Sequence, residues 1–229
     1  MTIRLAFASV AIVLALGGCD RLPGRPGVQE EVARPEQVLD FNTLYTANCS
    51  GCHGADGRGG AAIALRDPVF LAIADDATIQ NIAAGGVLGT QMTPFAQSKG
   101  GMLTDAQIGA LVHGIRGWAA NIPRDGLPPF VAQSPGDPQR GAAVYATFCA
   151  SCHGSDGQGT KGGSAIANAA YLALVSDQYL RTVIIAGRPE LGAPDWRGNA
   201  AGRAMTSDEI SDVVAWLASH RPTQRSNLK

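Results

Sequence analysis

The sequence predicts an all-α protein of two small tandem domains, and three observations predict it. Shifted by 100 positions, FNTLYTANCSGCHGADGRGG at residues 41–60 lies over GAAVYATFCASCHGSDGQGT at residues 141–160, with Tyr45 over Tyr145. A second match sets LTDAQI (103–108) against MTSDEI (205–210). In each, a threonine followed three places later by Gln107 or Glu209 gives a capping box, which starts a helix. Behind each box runs an apolar stripe of helical period: Ile108, Leu111, Val112 and Ile115, then Ile210, Val213, Val214 and Leu217.

Each element then follows in order. Arg4 precedes an apolar run from Leu5 to Leu16 that is too short to span a bilayer as a mature helix, and residues 1–18 read as a secretory signal. Its closing Leu16-Gly17-Gly18-Cys19 resembles a bacterial lipobox, which would make Cys19 a lipidated N-terminus; an ordinary signal with a stray cysteine is the alternative. Acyl chains contribute about 0.8 kcal/mol per buried CH₂, so several would hold the protein on a membrane. Asp20 after the cysteine resembles an inner-membrane retention signal. Residues 19–36, rich in proline, glycine and charge, read as a tether with a random-coil span of about 20–25 Å. Domain one is expected at 37–118 and domain two at 138–222. The spacer 119–137, stiffened by Pro123, Pro128, Pro129 and Pro135, joins them, and 223–229 is a tail.

The composition excludes little except a nucleic-acid partner. Its 229 residues are 45% hydrophobic and carry a formal net charge of −1, whereas a nucleic-acid partner demands a basic face. The five cysteines say more. Cys49-Ser50-Gly51-Cys52-His53 and Cys149-Ala150-Ser151-Cys152-His153 carry the spacing of covalent haem attachment: two thiols for thioether bonds and a histidine placed to meet the iron. A four-sulfur zinc site and a thioredoxin-like pair are the rival readings, but neither requires a histidine after the second cysteine.

With these motifs in place, both halves resemble small class I cytochrome c domains, over nearly all of the chain after Pro35. The resemblance implies two haem c groups, one per domain, each wrapped by a few helices. It also implies a small residue and an aromatic on the N-terminal helix, packed across an aromatic on the C-terminal one. Gly141, Tyr145 and Trp216 fit; the first half has Phe41, Tyr45 and Gly114, so large and small have traded sides of the crossing. His53 and His153 become the expected proximal iron ligands. The proline carbonyl that usually steadies such a ring has no counterpart at 59–65 or 162–167.

For the first haem the resemblance points to Met92 as sixth ligand, 39 residues after His53 in the loop entered at Gly85-Gly86. Met102 is the competitor, expected instead to pack beside the capped helix. For the second, counting six from Gly187 gives Ala193 where six from Gly86 gives Met92, and Trp196 falls on Phe95. Stretches of the form GRPDLGMPDWR in this family carry methionine there, so the second sixth position is expected vacant at Ala193. Met205, a histidine (His113, His220) or an outside group are the alternatives. Arg188, Trp196 and Arg197 flank the loop as candidate propionate partners or as surface residues.

The resemblance implies a lipid-anchored dihaem cytochrome c on the periplasmic side of the bacterial cytoplasmic membrane. It would pass single electrons from a quinol-oxidising complex or dehydrogenase to an oxidase or reductase, with no catalytic residue of its own. The rival is a haem enzyme or a gas- or peroxide-binding sensor using an open sixth site on the second haem. Such chemistry calls for a distal histidine or acid near Ala193, and the sequence identifies none in that role.

Overall fold

Two aspartates begin the matching halves. In the computed structural model, which describes residues 33–119, 125–198 and 201–222, the Asp40 carboxylate accepts from Thr43 N–H and starts α1 (Phe41–Asn48). Asp137 accepts from Gln139 and Arg140 N–H and starts α6 (Pro138–Phe148), with proline in the first turn, where no N–H is needed. The signal segment, Cys19 and the 223–229 tail lie outside the described residues, as do 120–124 of the spacer. Each helix runs into a single turn carrying the haem motif: α2 (Ser50–His53) and α7 (Ala150–His153).

The first half continues with α3 (Pro68–Ile73), capped by Asp67, then α4 (Asp76–Gly85), capped by Asp75, and α5 (Asp105–Gly117), opened by Thr104 and Gln107. The second repeats the order with α8 (Ala169–Leu172), capped by Asn168, α9 (Asp177–Ala186), capped by Ser176, and α10 (Ser207–Ser219), opened by Thr206 and Glu209. Both capping boxes are complete, the threonine accepting from the third residue's N–H and that residue's side chain accepting in return. Among the described residues there is no strand, and no helix is long and apolar enough to cross a membrane.

In each half the N-terminal helix crosses the C-terminal one on a glycine. A Cβ on Gly114 of α5 would stand 2.0 Å from Phe41 Cδ2, and one on Gly141 of α6 would stand 2.1 Å from the Asp212 carbonyl of α10. The exchange of large and small is therefore real contact: the Phe41 ring fills the space that Gly114 leaves. Trp118, just past α5, adds what the sequence reading missed. Its indole meets Phe41 and Tyr45 edge-on at 5.1 and 5.0 Å, where the second half stacks Trp216 on Tyr145 at 4.1 Å. The two tyrosine hydroxyls donate to equivalent carbonyls, Tyr45 to Gly54 O at 2.8 Å and Tyr145 to Gly154 O at 2.6 Å.

A second shared device closes each half. Arg116 donates to the carbonyls of Leu71 and Ala74 and to Asp76. Arg221 donates to those of Leu172 and Val175 and to Asp177, the corresponding positions 101 places on. Each guanidinium thus satisfies carbonyls at the end of one short helix while pairing with the first turn of the next.

From Val38 to Pro222 the described residues form one compact unit. α3 packs on α9, and one apolar cluster runs from Tyr45, Phe70 and Leu111 to Tyr145, Ile185, Trp196 and Ile210. The described spacer residues are held against the second half: the Pro129 carbonyl accepts from buried Arg181 at 2.9 Å, and that of Phe130 from Gln178 at 2.8 Å.

Candidate functional site

The two CxxCH turns present the same arrangement. None of the four cysteines is in a disulfide; Cys52 and Cys152 are exposed and Cys49 and Cys149 half-buried. Burial pushes each inner thiol up to about 11, the neighbouring sulfur adding to it. The rings are steadied by carbonyls that no sequence pattern marks. His53 Nδ1–H donates to Ile63 O at 2.8 Å and His153 Nδ1–H to Ser164 O at 2.8 Å. A carbonyl can only accept, so the proton sits on Nδ1 and Nε2 keeps a lone pair for a metal.

This donor set fits a haem at each turn: two thiols free for covalent attachment and an imidazole locked in the ligating tautomer. Among the described residues no group of three or more His, Cys, Asp and Glu side chains is arranged to hold a metal ion by itself, as a four-sulfur zinc site would be. The two histidines differ in cover. His53 is buried at 9% exposure and His153 only half-buried. Burial pushes the His53 imidazole pKa down, its bond to Ile63 opposes this, and the Arg188 cation adds to the fall.

The sixth-ligand loops share the hydrogen bond that closes them, although Met92 N–H donates to Thr90 Oγ1 and Ala193 N–H to Arg188 O. Val87 N–H donates to Met92 O at 2.8 Å, and Arg188 N–H to Ala193 O at 2.9 Å. Gly86 and Gly187 both sit at positive φ, 66° and 71°. A Cβ there would strike Thr93 C and Pro94 N in one loop and Pro194 C and Asp195 N in the other. The partners of the closing bond and of these contacts are displaced by 101, so Ala193 stands where Met92 stands.

The competing ligands are placed elsewhere. Met205, at 7% exposure, lies in the apolar cluster and donates its N–H to Trp196 O at 3.0 Å, as Leu103 does to Phe95 O at 2.8 Å. His220 packs on Trp216 at a ring distance of 4.4 Å, and His113 is exposed on α5. Met102, expected to pack, is instead 78% exposed: Gly101 N–H bonds back to Ala96 O and turns the chain tightly before the helix.

Residues 138–221 match the family described as Cytochrome c, and residues 36–113 the family described as Cytochrome C oxidase, cbb3-type, subunit III. The chain is a dihaem cytochrome c. Its two haem c groups are bound covalently, one in each half, and the cytochrome handles single electrons. It is 22% identical over 248 residues to the cytochrome bc1 complex cytochrome c subunit of Corynebacterium diphtheriae, covering 96% of this chain and 81% of that one. It is 29% identical over 150 residues to the cbb3-type cytochrome c oxidase subunit FixP of Sinorhizobium medicae, covering 58% of this cytochrome and 46% of that subunit. Among solved structures, the Kuenenia stuttgartiensis reducing HAO-like protein complex Kustc0457/Kustc0458 is similar with a TM-score of 0.46 and 16% identity, over 83% of this chain and 100% of that one.

Of the candidate propionate partners, Arg197 is an exposed residue paired with Asp195 and lying over the Trp196 ring at 4.6 Å. Trp196 is buried. Arg188 is buried too, and its guanidinium bridges the two halves: Nε pairs with Glu190 of its own loop at 2.6 Å, and Nη2 donates to Gly60 O of the first half at 2.7 Å.

Proposed function

We propose that this cytochrome is a membrane-tied carrier of single electrons, lipidated at Cys19 and held on the periplasmic face of the cytoplasmic membrane. Its donor is a quinol-oxidising complex or a dehydrogenase, and its acceptor an oxidase or reductase. The names of the bc1 and cbb3 relatives support that placing. The haems supply one-electron redox change. The chain attaches them through Cys49 and Cys52, and through Cys149 and Cys152. It orients His53 and His153 as proximal ligands through Ile63 O and Ser164 O, and presents Met92 to the first iron.

The observation that carries the reading is the matched loop register with alanine at 193. A methyl group has no lone pair, so the second iron lacks the thioether that raises a reduction potential, and its sixth position is left to water or a small ligand. The two centres then differ in character, the first holding the higher potential. A sensor or enzyme at that opening is the second reading. Against it, the carboxylates flanking Ala193 are already paired, Glu190 with Arg188 and Asp195 with Arg197, while His220 packs on Trp216 and His113 is exposed on α5.

Absorption spectra of the purified two-haem protein test this. A thioether-to-iron band at the red edge accounting for one haem, with carbon monoxide binding the other after reduction, is the expected result. Two such bands and no gas binding would overturn it.

A further inference from the structure

The Arg188 side chain spans the two halves and touches the shell of the other haem. Its backbone belongs to the second sixth-ligand loop, where it exchanges both ladder hydrogen bonds with Ala193, at 2.9 and 3.0 Å. Its guanidinium reaches 128 residues back to Gly60 O. The segment it meets there is the one that holds the first proximal histidine, for Ala62 N–H donates to Cys52 O at 2.8 Å and Ile63 O accepts from His53. Arg188 and Glu190 form an ion pair whose side chains are only 9% and 17% exposed, and Glu190 lies near enough to Asp67, the cap of α3, to repel it. A buried charge pair is weak evidence for stability, because desolvation offsets much of its attraction. It is strong electrostatics for whatever it faces.

We propose that Arg188 is a positioning residue through which the second half sets the reduction potential of the first haem and holds its proximal segment. Reduction there adds one electron and lowers the net charge by one, so the guanidinium favours the reduced state and the Glu190 carboxylate the oxidised one. One haem loop thereby reads directly onto the other haem's ligand shell. The inference rests on the reading of His53 and Met92 as ligands of the first iron.

Full-length two-haem protein is titrated potentiometrically while following the red-edge thioether band, which reports the first haem alone. Arg188→Gln removes the charge and keeps an amide donor; at a fixed ambient potential the ferrous-to-ferric ratio of that haem is expected to fall about threefold. Arg188→Lys keeps the charge and restores most of the ratio. Glu190→Gln leaves the cation uncompensated and is expected to raise the ratio by a similar factor. Opposite signs in Arg188→Gln and Glu190→Gln are what general loosening of the fold does not produce. A band present in all three proteins but unmoved, or moved the same way in both neutralising variants, overturns the proposal. Absence of the band from the unmodified protein refutes the Met92 reading instead, a result of a different kind. If Arg188→Gln fails to fold, the sign of the Glu190→Gln shift decides.

Discussion

At Gly114 a hydrogen atom is all the space that Phe41 leaves. A methyl group there would sit 2.0 Å from the ring, so either the ring turns or α1 lifts from α5. Gly114→Ala is therefore expected to cost about 1–3 kcal/mol by overpacking, although alanine is the better helix former. Combining it with Phe41→Val should recover part of the loss, a coupling that urea unfolding of the four proteins measures. At Gly141 the obstacle is the Asp212 carbonyl, which no side-chain change relieves. The two crossings share a geometry but differ in whether they can be repaired. Residues of this kind were partly legible in the sequence: Phe41 and Gly114 stood out because they reversed a small-and-aromatic pattern. Trp118 did not, because it lies just past the helical stripe, at the cap of α5. The carbonyls of Ile63 and Ser164 had no chance of being read, since every residue carries one.

Among the elements, the helices with capping boxes are the ones whose beginnings the sequence marks without ambiguity, and α10 adds an ion pair to its box. Glu209 accepts from Thr206 N–H and pairs with Arg203, which holds its carboxyl down at about 2 from an ordinary 4.5, the Arg203 hydrogen bond being the largest cause. A carboxylate depressed in the folded state stabilises fully above its unfolded value and loses that contribution as the pH falls through the folded one. Glu209→Gln keeps the cap and removes the charge. The variant is expected to be less stable than the parent at pH 6, by an amount that salt reduces, with the gap closing between pH 4.5 and 2. Thermal melts across that range check it. The arginine closures of the short helices are a contrast in legibility. Arg116 and Arg221 reach equivalent acceptors from positions that do not align, 105 residues apart where the acceptors are 101 apart, so the sequence repeat hides them.

Over the whole molecule, the repeat invites a picture of two beads on a spacer, because a repeat records what each half does for itself. What the halves do for each other has no periodicity: Arg188 to Gly60 spans 128 residues, and α3 against α9 joins elements that look like ordinary interior helices of their own halves. Phe70, at 5% exposure, lies on α3, the helix that packs on α9 of the second half within the shared apolar cluster. Unfolding the halves independently would expose that surface, so the described fold from Val38 to Pro222 should melt in one transition. Phe70→Ala is expected to remove about 3–5 kcal/mol. Because the lost contacts lie where the halves meet, the loss should also separate the melting of the haem that shows the thioether band from that of the other. Coincident melts in the parent and split melts in Phe70→Ala, followed at the two sets of haem bands, are the expected pair of results. Split melts in the parent would mean that the contact between the halves contributes too little to bind their folding together, and the influence of Arg188 on the first haem would then have to act without it.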